Sequence, residues 1–276
     1  FNTAIALGRL GTPLSFFSGL STDLFGQIPA DTLAANGVSS DLAHRADRPT
    51  TLAFVTLKDG HASYAFYDEN TAGRMLSEAD LPAVPNDVAA MFFGGISLMV
   101  EPCARAYEAL CLREAPSRVT MLDPNIRPGF ITDAEAFRAR LDALLGVADI
   151  VKVSDEDLHW LEGAGDTTDL ARGLLARGPR LICVTEGSRG ATVHHRAGHL
   201  HVPAPKAEVV DTVGAGDTFN AGFLAGLYAA GALTKAALDQ PDEDVLEQAL
   251  SLGVAAAAVT VSRAGANPPT RAELGR

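Results

Sequence analysis

Short apolar runs alternating with longer helical stretches constrain this chain more than any other feature. Residues 91–93, 119–122, 149–153 and 181–184 are each too short for a buried helix and are rich in Val, Ile, Leu, Met and Phe. Between them, residues 101–113 and 134–145 carry helical spacing, and shorter helices are expected after residue 153. Strands apolar on both faces need cover on both faces, and parallel neighbours need a crossover, usually a helix. The expected class is α/β, a mostly parallel sheet with helices on either side. The chain has 276 residues, 47% of them hydrophobic, which suffices for a large core of this kind.

Other elements flank this centre. A helix is expected over residues 2–10, ended by Gly11-Thr12-Pro13, then a strand over 14–20 and a helix over 24–36 stopped at Asn36-Gly37. Residues 50–57 and 61–67 are β-rich on either side of Lys58-Asp59-Gly60, a hairpin signal. A second hairpin is expected over 191–202, and Ala-rich helices over 216–230 and 243–259. No repeat or low-complexity linker divides the sequence, so one domain over 1–276 is expected, with the hairpin around 50–72 as a flap. The sequence opens at Phe1 inside a helical pattern, so we expect its natural start, including a further strand, to lie upstream.

Charge and cysteine usage narrow the function classes. With 34 acidic and 22 basic residues the net charge is −12, which disfavours binding to nucleic acid or to an anionic membrane surface. No charge-free stretch approaches the ~20 apolar residues of a membrane span. Cys103, Cys111 and Cys183 are too scattered for a disulfide framework or a zinc site, so buried thiols in a reducing cytoplasm are expected.

The most informative segment is Val209-Val210-Asp211-Thr212-Val213-Gly214-Ala215-Gly216-Asp217-Thr218-Phe219-Asn220-Ala221-Gly222-Phe223. It reads as an apolar strand end, a turn of small residues and a helix. Small residues let backbone N–H groups face outward together, and a helix N-terminus adds partial positive charge, so the turn can hold an anion. Asp217 suits a helix cap and equally suits a general base beside an anion hole. No GxxxxGK[ST] string occurs, and the dinucleotide pattern fails because Phe219 stands at its last glycine.

These residues carry a resemblance. The run from Asp211 to Phe223 resembles the C-terminal signature of the ribokinase-like (PfkB) carbohydrate kinases. Asn2-x-Ala4, Leu10-Gly11, Phe17-x-Gly19 and Asp23-x-Phe25-Gly26 resemble the tail of that family's N-terminal signature, and the match runs in register from Phe1 to about Glu273. The resemblance implies a three-layer α/β/α ribokinase-like domain with a small β lid, transferring the ATP γ-phosphoryl group to a sugar hydroxyl. It casts Asp217 as the general base and Gly214, Ala215 and Gly216 as the anion hole. Thr185, Gly187 and Gly190 resemble the nucleotide-binding strand and turn. Ser154 and Asp157 align with an Asn-x-x-Glu element that places Mg²⁺ through water, but Ser replaces Asn and Asp replaces Glu. Asp211 and the Val213 carbonyl resemble a monovalent-cation site, with partners from residues 260–265, so K⁺ activation is an expectation. A further oxygen ligand of that site falls at Pro269, which offers only its carbonyl.

The resemblance also bears on the substrate. Asn2 matches a sugar-contacting Asn. Asp123-Pro124-Asn125-Ile126-Arg127 resembles a segment of fructokinases and 2-keto-3-deoxygluconate kinases in which Arg127 holds a sugar oxygen or the phosphate. Tyr67 or Phe66 is expected to cover the sugar's apolar face. Where ketodeoxygluconate kinases resemble Tyr-Tyr-Arg, Asp68 and Glu69 stand here, and they disfavour an anionic sugar. Asp68-Glu69-Asn70-Thr71-Ala72 resembles bacterial fructokinases, which makes fructose the expected substrate. A kinase of ketodeoxygluconate, tagatose or a nucleoside is the alternative. A non-catalytic sugar-binding regulator is disfavoured because Asp217, Gly214 and Gly216 are all present. The expected setting is cytoplasmic, and a homodimer through the lid is expected.

Overall fold

The computed structural model describes residues 1–58 and 61–275. In chain order its elements are α1 (Asn2–Arg9), β1 (Gly19–Ser21), α2 (Leu24–Ala35), β2 (His44–Ala46), β3 (Leu52–Lys58), β4 (His61–Tyr67) and β5 (Ala90–Gly94). These are followed by α3 (Cys103–Glu114), β6 (Val119–Asp123), α4 (Ala134–Leu145), β7 (Ile150–Ser154), α5 (Asp155–Glu162), α6 (Thr167–Leu175) and β8 (Leu181–Thr185). The last are β9 (Ala191–His195), β10 (Gly198–Val202), α7 (Ala215–Ala229), α8 (Lys235–Asp239) and α9 (Glu243–Val261).

Among the described residues the main sheet has six strands, in the order β10-β9-β8-β7-β6-β5. Strands β5 to β8 run parallel, and β9 and β10 close one side antiparallel. Side chains along the parallel strands alternate between two cores, as the two-residue period of a strand requires. Val119, Met121, Ile150, Leu181 and Cys183 pack with Leu7 of α1 and Leu10 at its end, Phe219 and Phe223 of α7, and Leu250 of α9. Leu122, Val151, Val153, Ile182 and Val184 pack instead with Leu110 of α3, Leu158 of α5 and Leu174 of α6. The expected three-layer α/β/α arrangement is thus borne out, and the short apolar runs are its doubly covered strands.

Helix α7 is buried along most of its length. Its Phe219 and Phe223 rings stack at 6.2 Å, while Gly222 and Gly226 face α9. A Cβ on Gly222 would lie 2.6 Å from the Gly253 Cα, so these helices meet backbone to backbone. Helix α9 is long and apolar enough to cross a membrane by length and composition, contrary to the sequence expectation. Its Leu246, Ala249, Leu250, Val254 and Ala256 are buried in the protein, and it packs on α7, as a core helix does.

Two expectations fail. Residues 14–20 do not form one strand. Only Gly19–Ser21 pairs, with β2, and Ser15 and Ser39 form a single bridge. Leu14 and Phe16 pack toward α1 and α2 whereas Phe17 packs with the α3 core, so the segment serves different neighbours rather than one ladder. Val209 and Val210 likewise form no strand. The Val210 and Asp211 amides donate to the Val261 carbonyl at the end of α9, and both valines stay exposed.

Strands β3 and β4 pair antiparallel in a small sheet of their own. The Asp59-Gly60 turn lies outside the described residues. The base of this flap is tied down: the Ala72 amide donates to the Pro49 carbonyl at 2.9 Å, and the Thr51 and Thr71 hydroxyls meet at 2.7 Å. Asp23 caps α2 at the Gly26 amide and accepts from the Thr50 amide and hydroxyl at 2.8 and 2.6 Å. The Thr50 hydroxyl above all, with these amides, pulls its carboxyl down to about 2. The three cysteines are free and buried, and burial pushes the Cys103 and Cys111 thiols up to about 12.

Two outcomes follow. Gly222→Leu forces α7 from α9 and is expected to cost about 1–3 kcal/mol, read as a lower urea midpoint at unchanged slope. Asp23 has a depressed carboxyl, so its contribution is complete above the unfolded value of about 4 and is lost as pH falls through about 2. The melting-temperature gap between wild type and Asp23→Ala should therefore be widest at neutral pH and close toward pH 2.

Candidate active site

Strands β6, β7 and β8 end in Asp123, Ser154 and Thr185 along one edge of the sheet. In open α/β sheets this carboxyl edge is where ligands bind. Helix α7 begins beside it. Gly214 is the N-cap at φ 79°, a left-handed conformation that admits glycine without strain, and its Cβ would meet Ala266 at 2.7 Å. Among the described residues no acceptor takes the amides of Gly214, Gly216 or Asp217, whereas the Ala215 amide, expected in the anion hole, donates to the Thr212 carbonyl at 3.3 Å. Unsatisfied N–H groups at a helix N-terminus, with the helix dipole behind them, form an anion site.

Asp217 stands in the first turn of α7, half-buried. The Asn2 side-chain amide donates to its Oδ2 and the Thr3 hydroxyl to its Oδ1, both at 3.0 Å. The start of α1 therefore orients the carboxylate from the opposite end of the sequence. Asn2, expected from the resemblance to contact sugar, lies on Asp217, a contact the sequence does not announce, and Thr3 was missed because one Thr in a helix carries no local signal.

Three further residues were missed as functional candidates. Lys152 of β7 is buried, and its Nζ lies 3.1 Å from Asp123 Oδ2 at the end of β6. The Asn220 side-chain amide of α7 donates to the same oxygen at 2.7 Å. Burial raises the Asp123 carboxyl above its ordinary value while the Lys152 charge pulls it back down. The available signal was a lysine inside the apolar run Ile150-Val151-Lys152-Val153, because a buried charge needs a partner. Asp123 Oδ1 accepts from the Asn125 amide, which fixes the turn that leads to Arg127. Arg127 is exposed, its guanidinium donates to the Ile126 carbonyl, and it has no carboxylate partner among the described residues.

The remaining candidates are placed as follows. Ser154 caps α5 by accepting from the Asp157 amide at 2.9 Å. Asp157 is buried, with Oδ1 on the Ile126 amide at 3.1 Å and Oδ2 facing the Ser154 amide. It joins the β6 turn to α5 and does not stand as a free ligand. No cluster of metal-ligating side chains occurs among the described residues. Thr185 pairs in register with Ser154, and Gly187 and Gly190 follow in a turn with positive φ. A Cβ on Gly190 would lie 2.1 Å from the Val202 carbonyl oxygen. Asp211 accepts from the Val213 amide at 3.0 Å and the Gly265 amide at 2.9 Å, which brings the 260–265 loop to it as expected. Those two amides hold its carboxyl below the usual range.

The flap corrects one expectation. Asp68 is no free acid: Arg74 Nη1 pairs with it at 3.0 Å, so its charge does not stand open to repel an anionic sugar. Tyr67 is exposed and edge-on to Phe54. Phe66 instead meets Phe130 at 4.7 Å, in the turn just after Arg127.

The sequence matches the model of the pfkB family carbohydrate kinases over residues 1–273. It is 50% identical over 246 residues to a fructokinase of Rhizobium leguminosarum bv. trifolii, covering 89% of this chain and 76% of that protein. Its structure is similar to a fructokinase from Xylella fastidiosa with bound ATP, at a TM-score of 0.89 and 29% identity, covering 99% of this chain and 87% of that one. A fructokinase from Vibrio cholerae O395, in a fructose, ADP and calcium ion bound form, gives a TM-score of 0.87 and 25% identity over 99% and 88% of the two chains.

Gly214→Ala imposes a left-handed alanine that also meets Ala266. The expected result is a stability loss of about 1–2 kcal/mol with a larger proportional loss of turnover, checked by thermal unfolding alongside initial rates.

Proposed function

Because the chain belongs to the pfkB family of carbohydrate kinases, we propose that it transfers the ATP γ-phosphoryl group to a hydroxyl of fructose, with Asp217 as general base. The observation that carries this reading is the pairing of three unpartnered amides, at Gly214, Gly216 and Asp217, with the Asp217 carboxylate at one helix terminus. A sugar hydroxyl held at the carboxylate loses its proton to Asp217 as the oxygen attacks phosphorus. Charge building on the transferring phosphoryl oxygens falls on the amides of the turn, whose orientation is already set. Asn2 and Thr3 keep the carboxylate aimed while the proton moves. Arg127, exposed and without an acidic partner, is available to a sugar oxygen or to phosphate.

Nucleotide binding falls to Ser154, Thr185, Gly187 and Gly190 along the ends of β7 and β8. The side chains fit Mg²⁺ that arrives with the nucleotide phosphates and keeps most of its waters, because Asp157 is already engaged by backbone amides. When bound, that ion neutralises phosphate charge. Asp211 and the Val213 carbonyl, with the 260–265 loop beside them, offer hard oxygen donors suited to K⁺. Cytoplasmic residence agrees with the ATP requirement and with three buried thiols. The chain reads as one kinase domain whose lid is the β3–β4 hairpin. The exposed Phe54 and Tyr67 of that hairpin support a homodimer through the lid, which sedimentation should register as a dimer for wild type and a monomer for Tyr67→Lys.

Fructose as acceptor rests on the likeness to fructokinases, since Asp68 no longer argues against an anionic sugar. ADP release from Mg·ATP is expected with fructose in preference to ketodeoxygluconate, ribose, glucose and adenosine. Preference for another of these would keep the mechanism and discard the acceptor. Asp217→Asn should lower kcat by about three orders of magnitude with little change in sugar KM. Near wild-type turnover in that variant would remove Asp217 from the role of base.

A further inference from the structure

Lys152 is a buried cation that the mechanism above leaves unused. It sits on β7 with about 3% exposure, and its ammonium reaches the first turn of α7. A Cβ built on Gly216 would lie 2.9 Å from Lys152 Nζ, so the ammonium fills the space where any larger residue at 216 would place its side chain. That position lies against the first turn of α7, where the Gly214, Gly216 and Asp217 amides have no acceptor among the described residues. A cation at a helix N-terminus opposes the positive end of the helix dipole, which is a costly place for a lysine unless an anion is bound there. Asp123 offsets part of that cost and is itself shared with Asn220, whose side-chain oxygen has no partner among the described residues. The charge is thus held where it gains most when negative charge accumulates on the far side of Gly216.

We infer that Lys152 is an electrostatic positioning residue of phosphoryl transfer, its ammonium held against Gly216 by Asp123 so that positive charge stands behind the anion hole without touching substrate. The inference rests on the kinase reading above. It explains why a lysine interrupts a strand that is otherwise apolar and covered on both faces, and why residue 216 is glycine although it lies within α7. Asp123 then has a second duty through its other oxygen, because the Asn125 amide it accepts belongs to the turn that carries Arg127. The helix terminus and the Arg127 turn are thereby registered on one buried ion pair.

A test must separate this from an ion pair that only holds the fold. Lys152→Met alone strands a buried carboxylate, so the informative variant is Lys152→Met combined with Asp123→Asn, which removes both charges and retains Asn220 and Asn125 as neighbours. Lys152→Gln is the second variant, since it keeps an N–H donor for Asp123 and drops only the charge. Steady-state kinetics with Mg·ATP and whichever sugar wild type phosphorylates, together with thermal unfolding, reads both. Wild-type turnover in the same assay tests the kinase reading independently. The expected result is a fall in kcat of about thirtyfold or more, with KM for ATP and sugar within about threefold and a cooperative melt retained. A kcat within about threefold of wild type in either folded variant overturns the inference and leaves the pair a structural contact. A rise in KM with kcat unchanged also overturns it, because that places the charge in ground-state binding.

Discussion

The N-terminus of α7 has to be held rigidly at the carboxyl edge of the sheet, and much of the structure follows from that requirement. Backbone amides stabilise a transferring charge only if they already point the right way, because reorienting them during reaction would cost what they contribute. Helix α7 meets the requirement through close packing rather than through hydrogen bonds at its end. Its glycines let α9 approach to backbone distance, its phenylalanines enter the sheet, and α1 lies along another side. The end of the helix can then leave its amides unpartnered, because its position does not depend on them.

The same geometry explains which parts of the site were legible in the sequence. The anion turn and Asp217 are contiguous, so their spacing alone states their relation. Asn2 and Thr3 are 215 and 214 residues distant from Asp217, and nothing local to either announces the contact. Lys152 and Asp123 lie between these cases. Each is a charge inside or at the end of an apolar run, which demands a buried partner without saying which one. The three-layer fold was readable because strand length and two-sided apolarity dictate cover on both faces. The segment over 14–20 misled for a related reason: apolar β-prone residues report burial, but the partner strand is set by tertiary neighbours. Val209 and Val210 misled in the same way, since the end of α9, not a strand, takes the amides of Val210 and Asp211.

Charge at the flap shows how far a sequence position can mislead about electrostatics. Asp68 and Glu69 look like an acidic rim, yet the nearby Arg74 neutralises Asp68 and also donates to the Glu101 carbonyl. The Arg74 guanidinium therefore joins the base of the flap to the loop before α3, and what Asp68 contributes there is anchorage. Arg127, by contrast, carries an exposed charge at the edge of the sheet with no carboxylate partner among the described residues.

Arg127 is not independent of the flap. Phe66, near the end of β4, packs edge-on against Phe130, and Phe130 lies three residues beyond Arg127 in the turn that Asp123 and Asp157 fix from below. An edge-to-face contact of this kind is directional, so the placement of the flap bears on what supports the turn. The turn is pinned by two carboxylates on its buried side, and Phe130 beyond it packs on Phe66 of the flap and on the cluster of Met99, Phe137 and Leu141. The backbone that carries Arg127 is thus supported from the sheet edge and from the flap together.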